Sequence, residues 1–545
     1  MKSQKVKLLL GLITLTTSSL LTLIVLSNKS LNKITTKQEG VEDTHNSVNL
    51  VSQESSESSK VVSVKDFGAI GDGTKDDTSA IQKAIDDVYN AGGGVVNFPS
   101  GTYKVTINPN SGQAITIRPK IILQGTSNQD SIIKLADGQG NYNSMLAGER
   151  LESDLSDFAM YDLAIDGNGE NNPVNAESDL GRLTMRHSLR IYRGSRITID
   201  RCRFINQNNA NTITLNGIIF DITINNNIFE FIGGGEADYD HSTIYTHSHT
   251  NGKRIEIANN SFSSKNGAGT NGARTAIETH GDEHTVKDNV IREYAFGINV
   301  AGYSKSGSSD NLTITGNEIK GVYGGIVIWS YFSPGNTTNP AISNATIANN
   351  KISIDIDGWR SLWGDTPSAA IYLEPNSDAQ LKNLSIVNNE ISVTNFSGDG
   401  NASDYRASGI RLWRNEFPNV ESENITITGN KITNYLASGI YISMPIRGGE
   451  ISQNTIINPG QSNGKFSDYF RSGIYVDALF ENFQILNNSI VDNQDNNTLK
   501  NGIISSAKCI DKCELFENTL EMNSNSQVPL YKMIYNQTNN FKILD

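Results

Sequence analysis

The sequence has few cysteines, few prolines and few charged residues for its length. Its 545 residues include 3 cysteines and 12 prolines, with 19% charged and 37% hydrophobic residues. A helical bundle or a coiled coil would be rich in Ala, Glu, Lys and Leu, so this composition excludes both. Three cysteines are also too few for a disulfide framework in a chain of this size. The spacing of Cys509 and Cys513 predicts either one local bridge or two inert thiols.

The charge balance is acidic, with 45 Lys and Arg against 58 Asp and Glu and a net charge of −13. This balance argues against a general affinity for nucleic acid. Wholesale disorder is excluded because β-branched residues recur along the chain and the charge is modest. The polar character comes from Asn, Ser and Thr, together with 48 glycines.

The amino terminus is predicted to direct export. Three lysines precede an apolar run that is long enough, at about 20 residues, to span a bilayer. No small-x-small cleavage site follows, so residues 1–27 are predicted to be a signal anchor, with a cleaved signal peptide as the alternative. Residues 28–60 are serine-rich and apolar-poor, which predicts a disordered linker. We expect residues 61–545 to form one domain outside the cytoplasm, either secreted or anchored to the membrane by the first segment alone.

A short phrase recurs along the chain, in which an alternating strand runs into Asn and then into an apolar residue. Two copies are TINNNIF (Thr223–Phe229) and TIANNKI (Thr346–Ile352). The last asparagine of each copy, counting weaker ones, is Asn227, Asn260, Asn289, Asn317, Asn350, Asn389, Asn430, Asn454, Asn488 or Asn518. Repeats of 20 to 50 residues made of short strands predict a solenoid of the parallel β-helix type. Asn at a fixed turn position suits both a left-handed backbone and a stacked amide ladder inside the coils.

A second phrase precedes the first in each coil and predicts one outward face. It reads STIYTHS (Ser242–Ser248) and TAIETHG (Thr275–Gly281) in two neighbouring coils. Its central isoleucine points inward, so strand alternation places the residues one and three positions later on the outside. Coils stack about 4.8 Å apart, and the outward residues therefore form two columns. These columns include Tyr245, His247, Glu278, His280, Asn299, Trp329, Tyr372, Arg411 and Trp413, and two earlier strands add Arg190, Tyr192 and Asn216.

The segment Val64–Tyr103, VKDFGAIGDGTKDDTSAIQKAIDDVYNAGGGVVNFPSGTY, resembles the opening of the pectate lyase superfamily. That superfamily includes pectin-backbone hydrolases, alginate C5-epimerases and phage tailspike depolymerases. The resemblance implies an all-β fold, a single-stranded right-handed parallel β-helix. Within the segment, Asp76 or Asp77 and Thr78 are predicted to begin an amino-terminal helix that ends at the glycines 92–94. This helix would cap the open end of the solenoid.

The phrase FAMYDLAIDGNGENN (Phe158–Asn172) is similar to the corresponding coil of alginate C5-epimerases. The resemblance implies catalysis by a Tyr, an Asp and a His on one outward strand, with a second Asp on the following coil. The comparable positions here are Tyr245 and His247, followed by Glu278 and His280. Two identities depart from the implied set, because Tyr245 and His280 stand where Asp is implied.

Two chemistries and one noncatalytic role fit these residues. Proton abstraction from a uronate, of the lyase or epimerase type, needs an acid, a base and a group that neutralises the carboxylate. Tyr245, His247 and His280 would supply the acid and the base, and Arg274 or an arginine of the preceding coils would supply the neutralising charge. The noncatalytic alternative is a glycan-binding or cell-surface protein.

Glycoside hydrolysis is the other enzymatic alternative. It needs two carboxylates about 5 to 9.5 Å apart. Glu278 with Asp238, Asp240 or Asp282 would supply them, because stacking of the coils permits that distance.

The predicted partner is a polysaccharide, and an anionic one is favoured. Seven arginines lie between residues 182 and 203, which favours an acidic glycan, with ordinary salt bridging as the alternative. Aromatic side chains in an outward row suit stacking on sugar rings. No metal site is predicted, the alternative being zinc held by His241, His247 and His249. No cofactor is evident, calcium is left open without a motif for it, and the oligomeric state does not follow from the sequence.

Overall fold

The structure is a computed structural model of the chain. It describes residues 59–140, 142–149, 154–173, 186–208, 211–233, 242–246, 252–264, 274–303, 309–331, 341–363, 368–375, 380–397, 407–413, 421–462, 466–523, 527–534 and 541–544. The predicted export segment and almost all of the predicted linker lie outside these residues. In the described part, no helix has the length and apolar character needed to cross a membrane.

The described chain winds into a right-handed parallel β-helix built from three long sheets, named A, B and C here. Each coil contributes in turn to sheet C, sheet A and sheet B, and every strand pairs in parallel with the equivalent strand of the next coil. Side chains alternate between the interior and the outer surface, as in Ile121–Gly125. The predicted fold class is confirmed.

The strands have the following bounds. Sheet A contains Lys60–Ser63, Gly94–Phe98, Ile121–Gly125, Ala159–Tyr161, Gly194–Asp200, Ile219–Asn225, Lys253–Ala258, Thr285–Lys287, Ser309–Asp310, Thr313–Thr315, Ala341–Ser343, Thr346–Ala348, Gln380–Val387, Ser422–Thr428, Ile446–Ser452, Leu479–Leu486, Lys508–Cys509, Glu514–Phe516 and Lys542–Ile543. Sheet B contains Asp72–Asp76, Gly101–Val105, Ser131–Leu135, Ala164–Asp166, Arg203–Asn208, Ile228–Gly233, Ser261–Ser264, Val290–Arg292, Glu318–Val322, Lys351–Asp355, Glu390–Asn395, Lys431–Thr433, Thr455–Ile457, Ser489–Asp492 and Thr519–Met522. Sheet C contains Gln113–Thr116, Ser144–Ala147, His187–Ile191, Asn211–Leu215, Ser242–Thr246, Thr275–Thr279, Phe296–Tyr303, Gly324–Tyr331, Ile371–Pro375, Ile410–Trp413, Ile440–Ser443, Ser472–Val476, Asn501–Ser505 and Tyr531–Met533.

Helices are few and short in the part of the chain that the structure describes. Helix α1 spans Thr78–Asn90, helix α2 spans Ile356–Trp363, and 3-10 turns occur at Val64–Phe67 and Asp468–Phe470. Helix α1 buries one apolar side and packs against the first strands of all three sheets, as expected of a cap.

The start of helix α1 differs in detail from the prediction. The Asp76 carboxylate accepts the N–H of Thr78. Asp77 occupies the capping position but makes no side-chain cap. Its carboxylate instead accepts the backbone N–H groups of Ile70 and Gly71 at 2.8 and 3.0 Å. Asp77 therefore fixes the preceding turn rather than the helix itself.

The predicted asparagine ladder is present inside the coils. At Asn317, Nδ2 donates to Asn350 Oδ1 at 2.9 Å and the backbone N–H donates to the same oxygen at 3.0 Å. The pattern repeats from Asn227 to Asn518. The left-handed backbone belongs to the residue just before each ladder asparagine, for example Asn226 with φ 55° and Asn349 with φ 56°. The sequence analysis assigned the left-handed backbone and the ladder hydrogen bonds to one asparagine. In the structure, two neighbouring residues have these roles.

Of the two predictions for Cys509 and Cys513, the structure has the local disulfide. Cys509 and Cys513 form a disulfide, and Cys202 is a buried free thiol. Burial raises the pKa of the Cys202 thiol to about 12, which keeps it protonated and inert.

Candidate functional site

The register of sheet C is the one that alternation predicts. Ile244, Ile277 and Ile298 pair with one another from coil to coil and are fully buried. The next position gives an outer column in which Tyr245 pairs with Glu278 and Glu278 pairs with Asn299. The same column runs back through Thr214 to Arg190.

Further along the same column, side chains that were expected to face solvent are buried. Tyr372 and Arg411 are in register but only 4% and 1% exposed. The Arg411 guanidinium carbon lies 5.2 Å from the Tyr372 ring centre and 4.8 Å from that of Trp413, which is partly buried. The prediction that Tyr372 and Arg411 face solvent is therefore wrong, and their role in substrate binding stays a prediction. Trp329 lies on a sheet C strand, but its side chain is outside the described part.

A carboxylate and an imidazole meet on the strand Thr275–Thr279 and just beyond it. His280 Nε2 lies 3.1 Å from Glu278 Oε1. The Ser242 hydroxyl of the preceding coil donates to the other carboxylate oxygen at 2.6 Å. The Tyr245 ring stands edge-on to the imidazole with ring centres 5.7 Å apart. We name Glu278 and His280 the dyad.

The electrostatics of the dyad favour an ionised carboxylate. Burial by itself raises the pKa of Glu278, but this is outweighed by the hydrogen bond and charge of His280, the hydrogen bond from Ser242 and the charge of Arg274, so the pKa lies below its usual value. An ionised carboxylate only accepts hydrogen bonds. His280 Nε2 must therefore carry the proton, and in the neutral ring Nδ1 then holds the free lone pair.

Two of the buried polar atoms near Glu278 that lack a partner among the described residues belong to side chains of the predicted outer columns. They are Nδ1 of His280 and Oδ1 of Asn299. An unpaired buried polar atom costs about 1 to 3 kcal/mol, and such atoms need an explanation such as a missing ligand. They mark the part of sheet C where a polar substrate would make new hydrogen bonds.

A second polar group lies upstream on the same face. Arg190 Nη1 donates to Asn143 Oδ1 at 2.6 Å, and its Nε donates to Asn216 Oδ1 at 3.0 Å. The guanidinium stacks on the Tyr192 ring with its carbon 4.7 Å from the ring centre, and Asn143 Nδ2 donates to the Tyr192 hydroxyl. The structure thus brings together Arg190, Tyr192 and Asn216 as predicted. Sequence reasoning missed Asn143, because it precedes the strand Ser144–Ala147, where neither repeat phrase is present.

Most of the other arginines between residues 182 and 203 contact neighbouring protein groups. Arg196, Arg201 and Arg203 form ion pairs with carboxylates of neighbouring coils, outside sheet C's strands. Arg186 donates to the backbone carbonyls of Asn172 and Pro173. Ordinary salt bridging therefore accounts for Arg196, Arg201 and Arg203. Arg182 lies outside the described residues.

Asp282 does not join Glu278 in the described contacts. Its backbone forms a bridge with Lys253 of sheet A. Its carboxylate lies 3.7 Å from Lys253 Nζ and accepts the N–H of Asp310. Burial, with the nearby charge of Asp310, raises its pKa. Lys253 and Asp310 therefore engage the Asp282 carboxylate, and its catalytic pairing with Glu278 stays a prediction. Asp238, Asp240 and His247, like the proposed zinc ligands His241 and His249, lie outside the described residues.

No metal-binding cluster is found in the described ranges. No group of three or more His, Cys, Asp or Glu side chains there is arranged to hold an ion.

His284 gives the region a predicted pH dependence. It is 1% exposed, and burial lowers the pKa of its imidazole from 6.5 to about 4. The unfolded chain therefore takes up a proton first, so stability is full above pH 6.5 and falls as the pH drops towards 4. The shift corresponds to about 3 kcal/mol. We expect urea unfolding at pH 7 and pH 4 to reveal this loss in the wild type and a smaller one in His284→Gln. An equal loss in both proteins would contradict the assignment.

The sequence resembles one protein family and several curated proteins. The family described as rhamnogalacturonase A/epimerase, pectate lyase-like, matches residues 61–339, just over half of the chain. Mannuronan C5-epimerase AlgE5 of Azotobacter vinelandii is 43% identical over 110 residues, which are 20% of this chain and 11% of that protein. Alginate lyase 7 of the same organism is 40% identical over 109 residues, 20% of this chain and 13% of that protein. The chain thus spans only a small part of these relatives.

A solved structure shares the fold. The tailspike protein of E. coli bacteriophage HK620, in complex with a pentasaccharide, has a TM-score of 0.60 and 15% identity. The match covers 87% of this chain and 80% of the tailspike.

Proposed function

Because the chain belongs to the rhamnogalacturonase A/epimerase, pectate lyase-like family, we propose that it is a polysaccharide-active enzyme that removes a proton from an acidic sugar. The observation that carries the proposal is the dyad, in which Glu278 holds His280 and leaves Nδ1 without a partner among the described residues. An imidazole oriented by a carboxylate is a suitable general base near neutral pH. The relatives named as a mannuronan C5-epimerase and an alginate lyase support this class of substrate.

The dyad supplies the first step of the reaction. His280 Nδ1 takes the proton from C5 of a uronate, so the C–H bond breaks and an N–H bond forms. The electron pair moves towards the sugar carboxylate, and the Glu278 carboxylate stabilises the imidazolium that results. Arg274, whose charge already acts on Glu278, is proposed to neutralise the charge on the sugar.

Tyr245 is proposed to act as the acid that completes the reaction. Its ring lies against His280, on the outer column one coil before Glu278. In a lyase, its hydroxyl would protonate the departing O4 as the C4–O bond breaks. In an epimerase, it would return a proton to C5 from the opposite face.

Arg190 is proposed to bind the carboxylate of another sugar in the same polymer. It lies two coils from Tyr245 in the outer column, a distance of about 10 Å at 4.8 Å per coil. Asn143 and Asn216 hold the guanidinium by hydrogen bonds, which lowers the entropy lost when a ligand binds. Arginine suits a carboxylate because its planar donors match the two oxygens.

Hydrolysis has less support from the described residues. The lowered pKa of Glu278 makes it a poor general acid at neutral pH, and Asp282 binds Lys253 and Asp310 instead. We further propose that the enzyme acts outside the cytoplasm, on the basis of the apolar segment in residues 1–27.

The proposal is tested by incubating the purified protein with alginate, polymannuronate, polygalacturonate and a neutral glucan. Elimination is expected to give an unsaturated product that absorbs in the ultraviolet. Epimerisation is expected to exchange the C5 proton with deuterium from heavy water, which NMR detects without chain cleavage. New reducing ends without ultraviolet absorbance would indicate hydrolysis and contradict the proposal. Absence of any change in all four polymers would favour a binding protein.

A further inference from the structure

Phe231 combines two unfavourable features in one residue. It ends a bulged stretch of the sheet B strand Ile228–Gly233, its φ is 54°, and its side chain is 54% exposed. Single exposed apolar side chains are ordinary. A bulky residue at positive φ is a genuine outlier, because the left-handed conformation brings its Cβ too close to the following carbonyl oxygen.

Most other coils with a left-handed residue at this corner have asparagine or glycine there, which suit it better. Their left-handed residues at this position are Asn206, Glu293, Gly321, Asn434 and Asn458. Asparagine tolerates the left-handed region and glycine has no penalty there. The fold therefore does not require phenylalanine at this corner, and stability alone would favour asparagine.

The backbone around Phe231 directs the ring outward. Phe229 pairs with Phe262 and Ile232 pairs with Ser264, so two residues of this strand stand opposite one residue of the next. Such a bulge re-aims a side chain and is frequent next to active sites. Both Phe229 and Ile232 are buried, so the bulge keeps the interior intact while it exposes the ring.

The corner lies at the edge of the face that carries the dyad. In each coil sheet C follows sheet B along the chain, and the sheet C strand that follows Phe231 is Ser242–Thr246, with Tyr245 on its outer side. Next to Phe231, the Glu230 carboxylate is 2.7 Å from the Arg203 guanidinium, and both remain partly exposed. A flat apolar ring beside polar groups matches a pyranose, which has an apolar face and a rim of hydroxyl groups.

We propose that Phe231 forms a sugar-stacking subsite at the sheet B edge of the active face, where it binds a sugar other than the reacting one. The inference rests on the proposed function, since it assumes a polysaccharide substrate. It assigns Phe231 a role in binding, whereas the dyad performs the chemistry. Strain retained at an exposed residue is explained when the residue has a function that the better-suited residue lacks.

The substitution Phe231→Asn tests the subsite because it should move stability and binding in opposite directions. Relief of the strained backbone is expected to raise the urea midpoint of unfolding. Loss of the ring is expected to weaken binding about tenfold, the loss expected for one aromatic stacking contact. Binding is measured by retardation in native gels that contain alginate or polygalacturonate. Phe231→Tyr is the matched control and should bind like the wild type.

Several results would overturn the subsite. Unchanged retardation of Phe231→Asn, or a lowered urea midpoint, would contradict the recognition role or the strain. A wild-type dimer in light scattering that becomes a monomer in Phe231→Asn would mean that a second copy of the chain covers the ring. The proposed function fails separately if the wild type binds a polyuronate but changes none of the polymers. Failure of the wild type to bind any glycan would contradict both.

Discussion

Replacing His280 with alanine is expected to abolish measurable turnover of an anionic glycan while the coils stay folded. The imidazole is the proposed base, and general acid–base catalysis contributes about 10²- to 10⁴-fold to a rate. The measurement is kcat for the polymer that the wild type processes, followed by ultraviolet absorbance or deuterium exchange at C5. Urea unfolding of the same preparation reports whether the fold is retained.

Glu278→Gln extends this test to the other half of the dyad. An amide of the same shape keeps the packing beside Ser242 but cannot stabilise an imidazolium by charge. We expect kcat to fall by about 10²-fold or more, in line with loss of a group that positions and stabilises the base. KM is expected to change less, because binding of the polymer relies on other residues such as Arg190.

The matched control for Glu278→Gln is Glu256→Gln. Glu256 lies in the preceding coil but on sheet A, where its carboxylate forms an exposed ion pair with Lys287 at 3.2 Å. Exposed pairs contribute about 0 to 1 kcal/mol, so this variant should have normal kcat and nearly normal stability. Full activity of either dyad variant, beside an active control, would remove the dyad from the mechanism.

The repeat made much of the fold predictable from the sequence. Alternation with period two fixes which side chains enter the coil, and an asparagine after each sheet A strand fixes where the chain turns. Because most coils from Asn227 onward repeat both signals, an error in one coil is corrected by its neighbours. The pairing of Ile244, Ile277 and Ile298 and the ladder from Asn227 to Asn518 follow from these two signals.

The site was predictable only as far as the alternation extends. Gly281 has φ 127° and ends the alternation directly after His280, so the position of Asp282, which contacts Lys253 of sheet A, does not follow from the alternation. The sequence also did not predict which outward residues of sheet C are covered by other side chains, because the irregular segments that cover them have no repeat pattern. Phe470, for example, packs on Tyr441 and Tyr475, and both are 5% exposed although their register is outward.

Among the proposed substitutions, Asn317→Ala is expected to cause the largest decrease in the free energy of unfolding. Asn317 Nδ2 donates to Asn350 Oδ1 and to the carbonyl of Val286, while its Oδ1 accepts both N–H groups that Asn289 offers. Alanine leaves these buried partners unsatisfied, at about 1 to 3 kcal/mol for each group that stays unpaired. We expect a total loss of about 3 to 5 kcal/mol, measured by urea unfolding at pH 7.

Asn383→Gly is the control on the outer surface of the same fold. Asn383 belongs to an exposed amide column, in which it donates to Asn344 and accepts from Asn424, each at 2.9 Å. Its φ is 52°, so glycine removes the amide without backbone strain. Water replaces the lost hydrogen bonds at this exposed position, and the expected loss is below about 1 kcal/mol.

The comparison decides what holds the coils in register. Each coil of a solenoid contacts only its neighbours, so a broken rung at Asn317 weakens the connection between the coils before and after it. Amide hydrogen exchange is therefore expected to quicken first at Asn289, because its backbone N–H donates to the Asn317 Oδ1 that the substitution removes. If Asn317→Ala were no more costly than Asn383→Gly, the amide ladder would be dispensable. Register would then depend on the stacked interior side chains, such as the phenylalanine rings of Phe204, Phe229 and Phe262, and on the parallel strand pairing alone.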